Sequence, residues 1–366
     1  MGNNLPSKTI SALLESDSRL AAKNGILHGL VVAAGRNDSL DVHWSWGSAS
    51  VHPNAAPMRK NSIFDVASIT KAVATTSAYG VCIDNGLLDP DSPVSRYLPG
   101  IGEFEGSSIQ VRDLATHCSG YDNHKFTSSE PDQLVHDAVT APPQWPHRER
   151  FVYSCRNFIV LGHLVEKLSG EDLPSFCRQH LFDPLVMKDT RFGPVLSELD
   201  RVVPTQVPAG TIADEQARKV AHAIGNAGLF STAGDLSLFC RMILSGGWSG
   251  NLQILKDETL QWLMKECSPH RLPRRSFGWD MRSCSECTQR PTGLSDSAIG
   301  HGGWTGHSLW IDPVLNAYII ILTNRTHMPG NPENYESSML FRARIGGILI
   351  SPMTGTLGSH PALSTN

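Results

Sequence analysis

The sequence predicts an α/β fold with a helical lobe inserted into it. Apolar, branched runs of strand length lie towards both ends of the chain, and the stretch between them is dominated by helical spacing. At the N-terminal end, Ile10, Leu13, Leu14 and Leu20 recur at helical spacing and predict a helix over 10–22. The runs Gly29–Ala34 and Val42–Gly47 flank the turn-forming Arg36-Asn37-Asp38-Ser39 and read as a hairpin. From Ser68 to Asn85 the residues are small, apolar and helix-compatible, with Gly86 where a C-cap is expected. Phe158, Leu161, Leu164, Val165 and Leu168 predict an amphipathic helix over 157–168, stopped by Gly170, and 231–244 repeats the pattern. The runs Ser308–Ile311 and Ala317–Thr323, separated by Asp312-Pro313 and Asn316, return to strands. The expected organisation is a sheet domain built from 1–66 and 228–366, a mainly helical lobe over 67–227, and an active site between them.

Composition excludes several functions. A formal charge of −4 with 18% charged residues gives no net attraction to phosphate backbones or anionic membranes, so nucleic acid and membrane partners are not expected. The one compact basic cluster, Arg271 with Arg274 and Arg275, sits beside Pro273 without interleaved aromatics and reads as a solvated loop. Stretches such as Leu30–Ala34 and Ala317–Leu322 are too short to span a membrane. Met1–Asp17 is polar and has no apolar core of a secretory signal, which points to a cytoplasmic protein. Eight widely spread cysteines are then expected as reduced thiols. Cys284 and Cys287 form a lone CxxC without a second pair, and no HExxH occurs, so neither a metal nor another cofactor is expected.

The chemistry centres on Ser68-Ile69-Thr70-Lys71. A spacing of three on a helix brings a hydroxyl and a primary amine to one face. A serine hydroxyl is a poor nucleophile without a neighbouring base, and an amine serves once its pKa falls from about 10.4 through burial. Phe64, Val66, Ala67, Ala72 and Val73 supply apolar flanks for that burial. An oxyanion formed on attack needs donors, and the backbone N–H of Ser68 at its helix start is the natural first one. No GxSxG elbow occurs, which argues against the α/β-hydrolase route.

The segment Ser62-Ile63-Phe64-Asp65-Val66-Ala67-Ser68-Ile69-Thr70-Lys71-Ala72-Val73 resembles the nucleophile segment of the class C beta-lactamase, esterase and DD-peptidase superfamily. Ile109-Gln110-Val111-Arg112-Asp113-Leu114-Ala115-Thr116-His117-Cys118-Ser119-Gly120 is similar to its "ITVRHLLTHTSG" segment, and Arg150-Phe151-Val152-Tyr153-Ser154 to its tyrosine-bearing motif. Ala227-Gly228-Leu229-Phe230-Ser231-Thr232 resembles its "AGLFST" helix entry. Gly300-His301-Gly302-Gly303-Trp304-Thr305-Gly306 resembles the strand of its third motif. The matches keep the family's order over about residues 60–326. The resemblance implies a beta-lactamase/transpeptidase-like fold, an antiparallel sheet flanked by helices with an inserted helical lobe. It further implies that Ser68 is acylated, that Lys71 and Tyr153 share general-base work, and that Trp304 provides the second oxyanion N–H.

Two positions depart from the pattern. His301 stands where relatives often carry the Lys of "KTG"; with Gly302 and Gly303 it is expected to line the substrate pocket and to donate to a substrate oxygen or shuttle a proton. Cys155 replaces the usual Asn of "YxN", and a thiol is a weaker hydrogen-bonding group than an amide. Arg156 is the only sequence hint that this thiol is activated, so Cys155 reads as a passive small residue at the substrate. The expected activity is hydrolysis of small esters through an acyl-serine, with the substrate, an ester or amide, as the partner. Beta-lactam or D-amino-acid peptide hydrolysis, acyl transfer, and a sensor without turnover are the alternatives.

Overall fold

The computed structural model describes residues 7–51, 54–102, 108–220, 222–327 and 334–354, so the outer limits expected at 1 and 366 lie outside the described residues. Helix α1 (Ser7–Lys23) leads into strands β1 (Gly29–Arg36) and β2 (Ser39–Ser50), which pair in an antiparallel hairpin across the Asn37-Asp38 turn. The short β3 (Ala56–Pro57) borders β2. Near the other end, β9 (Ile299–Gly303), β10 (His307–Asp312) and β11 (Ala317–Thr323) form a meander, and β11 pairs with β1. One antiparallel sheet of order β3-β2-β1-β11-β10-β9 therefore joins strands that lie almost 300 residues apart in the chain.

Both faces of this sheet are covered, which explains why β1 and β11 are continuously apolar rather than alternating. Leu30, Val32, Ala34, Ile319 and Ile321 pack with Ile10 and Leu14 of α1 and with Phe341, Ile345 and Leu349 of α10 (Tyr335–Thr354). On the other face Val31, Ala33, Ile320 and Leu322 share a core with α8 (Ala233–Leu244) and with the helices of the middle segment. Those helices are α2 (Ser77–Asp84), α3 (Val111–Ala115), α4 (Pro131–Thr140), α5 (Cys155–Ser169), α6 (Leu173–Cys177) and α7 (Glu215–Val220). A second small sheet, of order β4-β6-β5, ties β4 (Phe64–Asp65) to β6 (Leu229–Ser231) and β5 (Arg191–Phe192).

Two local expectations change. Ser231 ends β6 rather than starting a helix. The Thr232 hydroxyl accepts from the Asp235 N–H at 3.1 Å and starts α8 one residue later. The helix after Ser68 is not regular: residues Lys71–Thr76 form a π-helical segment before α2, a local widening that recurs at functional sites. Helix α9 (Asp257–Met264), reached through the hairpin β7 (Trp248–Ser249) and β8 (Leu252–Gln253), packs on α2, where Leu263 lies against Gly80. The C-terminal segment thus buttresses the nucleophile helix as well as building the sheet. Among the described residues no helix is long and apolar enough to cross a membrane.

Candidate active site

Ser68 sits in the turn between β4 and the π-helical segment, in a strained and tightly pinned backbone. Ala67 adopts φ of +48°, in the left-handed region that a residue with a Cβ enters only when its surroundings impose it. The buried Asp65 carboxylate imposes it here, accepting from the Ala67 N–H at 2.9 Å and the Ala213 N–H at 2.7 Å. The Asp65 carbonyl accepts from the Thr305 hydroxyl and the His307 Nε2–H at 3.0 and 2.9 Å, which fastens the turn to the end of β9 and the start of β10. Burial raises the Asp65 carboxyl to about 6, against the two N–H donors that favour its charge.

Lys71 is fully buried, and its ammonium donates to Ser68 Oγ at 2.9 Å and to the Asn226 carbonyl at 2.8 Å. Cys155 Sγ lies 3.6 Å from the same nitrogen, and the Tyr153 ring centroid 5.3 Å away. Burial alone would lower the ammonium. The attraction of the Cys155 and Tyr153 side chains, whose ionised forms it would pair with, outweighs burial and holds it above the ordinary lysine value. The expectation of a lysine lowered by apolar surroundings is therefore corrected in direction: the neighbouring side chains more than offset burial. The loop that presents the Asn226 carbonyl approaches α5 closely. A Cβ on Gly225, at φ +81°, would meet the Phe158 carbonyl at 2.3 Å.

Tyr153 and Cys155 straddle the N-terminus of α5. Asn123 Oδ1 accepts from the Cys155 N–H at 2.8 Å, and His117 Nδ1 accepts from the Ser154 N–H at 3.2 Å and the Asn157 side-chain amide at 3.1 Å. His117 is buried with its ring 4.4 Å from that of Tyr153, centroid to centroid, and burial with the fields of Arg275 and Lys71 keeps it well below the ordinary histidine value. It is a neutral, wedged ring that sets the tyrosine loop. Arg156, the supposed activator of Cys155, points elsewhere: its Nε donates to the Ala138 carbonyl at 2.7 Å and its guanidinium lies 3.4 Å from the Tyr121 ring centroid. Lys71, not Arg156, is the cation beside the thiol.

His301, Gly302 and Gly303 form the end of β9, and Gly303 is required by close approach. A Cβ there would meet the Val66 carbonyl at 2.6 Å, so the absent side chain lets the strand lie against the nucleophile turn and brings Trp304 beside it. The Trp304 carbonyl accepts from Arg325 Nε at 3.0 Å, which fixes that peptide. His301 differs from its expected behaviour. Nδ1 lies 2.8 Å from the Gly302 carbonyl, an acceptor only, so Nδ1 carries the proton and the buried Nε2 is left with an unpartnered lone pair. Burial, with the charges of Arg275 and Lys71, lowers the ring to about 3. His301 is thus a neutral acceptor at neutral pH rather than a donor or a proton shuttle.

Ser68, Tyr153, Cys155, His301, Gly302 and Trp304 all line one cavity of about 860 Å³. Several of its other residues carry no obvious motif: Lys125, Asp214 and Arg218 on one side, Phe151, Arg275 and Arg282 on another. The reading of Arg271, Arg274 and Arg275 as a solvated loop is corrected at Arg275, which is 2% exposed; Arg274 pairs with Glu266 at 2.8 Å and Arg271 donates to the Arg148 carbonyl. Cys284 is exposed and Cys287 buried, both as free thiols, and burial raises Cys287 to about 11.

Comparison with known proteins agrees with this architecture. The chain is 28% identical over 338 residues to a Bacillus subtilis (strain 168) protein named N-acetylmuramyl-L-alanine amidase, covering 80% of this chain and 76% of that one. A penicillin-binding protein homologue from Caulobacter crescentus superposes with a TM-score of 0.72 at 20% identity, over 93% of this chain and 98% of the other. EstCE1, described as a hydrolase with promiscuous acyltransferase activity, superposes with a TM-score of 0.70 at 21% identity, over 91% and 98%. These likenesses establish a beta-lactamase/transpeptidase-like fold, an antiparallel sheet flanked by helices. The Beta-lactamase family model matches residues 15–340, and the chain belongs to that family.

Proposed function

We propose that this protein is a serine hydrolase that acts through an acyl-Ser68 intermediate, with small carboxylic esters as its substrates. The observation that carries the reading is the 2.9 Å hydrogen bond between Lys71 Nζ and Ser68 Oγ at the floor of an open cavity. Lys71 and Tyr153 share the general-base work as one proton-sharing pair, with Lys71 Nζ at Ser68 Oγ and 5.3 Å from the Tyr153 ring centroid. Ser68 Oγ attacks the carbonyl carbon while its proton passes to this pair. The backbone N–H groups of Ser68 and Trp304 receive the oxyanion, and the proton then goes to the departing alkoxide as the C–O bond breaks. Water repeats the sequence on the acyl-serine, with the pair as base.

Esters are favoured over lactams by the two substituted positions. Cys155 removes an amide that would grip a lactam side chain, and His301 offers a neutral lone pair where a cation would stand. Each lost directional hydrogen bond is worth about 0.5–1.5 kcal/mol, or about 1.5–3 kcal/mol when charged, so one loss of each kind costs roughly 30-fold to 2,000-fold. An amide substrate is the second reading, supported by the 28% identical relative named as an amidase. The test pairs fluorophosphonate labelling, read by mass spectrometry, with kcat/KM for p-nitrophenyl butyrate and a chromogenic cephalosporin. Label on Ser68 and a higher ester value, abolished in Ser68→Ala, are expected. Label on another serine removes the nucleophile assignment, and a higher cephalosporin value reverses the substrate preference.

A further inference from the structure

The turn that carries Ser68 is joined to three other segments through one buried residue, Asp65. Ala67, with φ of +48°, is flanked by two peptides that are fixed independently. In the peptide after it, the Ala67 carbonyl accepts from the Thr70 hydroxyl at 2.6 Å and the Thr70 N–H at 3.0 Å. That hydroxyl in turn accepts from the Leu229 N–H at 3.1 Å. In the peptide before it, the Val66 carbonyl accepts from the Ile69 N–H at 3.1 Å, and the Ala67 N–H donates to Asp65 Oδ1 at 2.9 Å. The same Val66 carbonyl is the atom that leaves no room for a side chain at Gly303. Asp65 Oδ2 accepts from the Ala213 N–H at 2.7 Å, just ahead of α7. The Asp65 carbonyl accepts from the Thr305 hydroxyl and the His307 ring, on either side of the turn between β9 and β10.

An alanine in the left-handed region is disfavoured because its Cβ crowds the backbone, so the Val66–Ala67 peptide would relax by rotating if its N–H were released. Thr70 holds only the peptide on the other side. Rotation would swing the Val66 carbonyl out of its place against Gly303 and shift the strand end that carries Trp304. It would also turn Ala67, whose backbone aims the Ser68 N–H. We propose that Asp65 is a positioning residue for acylation: its carboxylate clamps the Val66–Ala67 peptide and its carbonyl clamps the strand end, so that the N–H groups of Ser68 and Trp304 keep the separation an oxyanion requires. This assignment rests on the serine-hydrolase reading above and adds to it a residue set behind the nucleophile turn. Asp214 and Arg218 act on the carboxylate from the α7 side, and His307 on the β10 side is a neutral ring. Since burial raises the Asp65 carboxyl to about 6, the clamp weakens as the pH falls through that value and a proton occupies one of its oxygens.

The test reads Ser68 through its rate of labelling by a fluorophosphonate, beside kcat and KM for p-nitrophenyl butyrate. Asp65→Asn keeps the shape, but its carboxamide offers one acceptor oxygen to two N–H groups and turns an NH2 on the other. It is expected to lower the labelling rate and kcat by about tenfold or more, with KM within about threefold, because the oxyanion forms only on the way to the transition state. Adding Ala67→Gly is expected to raise both rates by about threefold or more over Asp65→Asn, since glycine holds a positive φ without a clamp. A role in overall stability alone would move neither rate well below the melting temperature. The ratio of the wild-type to the Asp65→Asn labelling rate is expected to shrink by about threefold or more from pH 7.5 to pH 5, as the wild type protonates while groups shared by both proteins cancel. Thr305→Val removes one donor from the Asp65 carbonyl and leaves the carboxylate in place. It carries the test where Asp65→Asn fails to fold, with a loss of about threefold or more in both rates expected. Ser68 labelled at the wild-type rate in the variant that folds, a loss that Ala67→Gly does not relieve, or a ratio unchanged with pH overturns this assignment alone. A wild type labelled at another serine overturns the hydrolase reading, and this assignment with it.

Discussion

At the scale of single residues, the nucleophile and its lysine were legible because they are three positions apart on one helix, and local geometry alone brings them together. What they do was not legible, because the electrostatics of Lys71 depend on groups 82 and 84 positions away in sequence, Tyr153 and Cys155, and on a carbonyl at Asn226. His117 stood inside a recognised segment without a role; its wedge against Tyr153 appears only once α5 is packed. The proton-sharing pair leads to a direct expectation. Lys71→Ala and Tyr153→Phe should each lower kcat on a good ester by about 10²–10⁴-fold, the usual cost of removing a general base, with the circular dichroism spectrum unchanged. Wild-type turnover in both variants would mean that the serine proton leaves by another route.

At the scale of elements, the hairpin, the meander and the long helices followed from periodicity, since each buries one stripe or one face. The π-helical segment did not, because a widened turn has no sequence period of its own. Equally hidden was the steric contact between β9 and the nucleophile turn. Gly303 is small because the Val66 carbonyl occupies the space a side chain would need. Gly303→Ala is therefore expected to push the strand end, with Trp304, away from Ser68. Differential scanning calorimetry should register a modest loss, about 1–3 kcal/mol as for other overpacked sites, while kcat/KM falls at least tenfold. An unchanged kcat/KM would mean that the strand end plays no part in holding the oxyanion.

At the scale of the whole molecule, burial of ionisable groups ties stability to pH. His117, His301 and His307 are buried and neutral, His301 and His307 lowered to about 3, so the unfolded chain binds protons there that the native one refuses as pH falls below the ordinary histidine range. Their contribution to stability is complete above about pH 6.5 and is lost progressively towards pH 3. Asp65, raised to about 6, acts in the opposite sense: between about pH 4 and 6 the native state holds its proton more tightly, which favours folding on acidification. The lowered histidines, with His43 and His163 shifted the same way, outweigh the raised Asp65, Asp113, Asp235 and His222, so stability should fall as the pH drops from 7 to 5. Urea titrations at pH 7, 6 and 5 check this, and a stability that is flat or rising across that range would show that the buried histidines do not govern it. By itself the sequence determined the family, the order of strands and helices along the chain, and the Ser68–Lys71 pair, because each depends on residues close together in the chain. Only the tertiary structure decided which groups surround Lys71, that His301 Nδ1 is tied to the Gly302 carbonyl, and that Arg275 turns from an apparent surface loop into the cavity wall. A side chain's charge and hydrogen-bonding role are set by burial and by neighbours across space, and neither quantity is carried by local sequence.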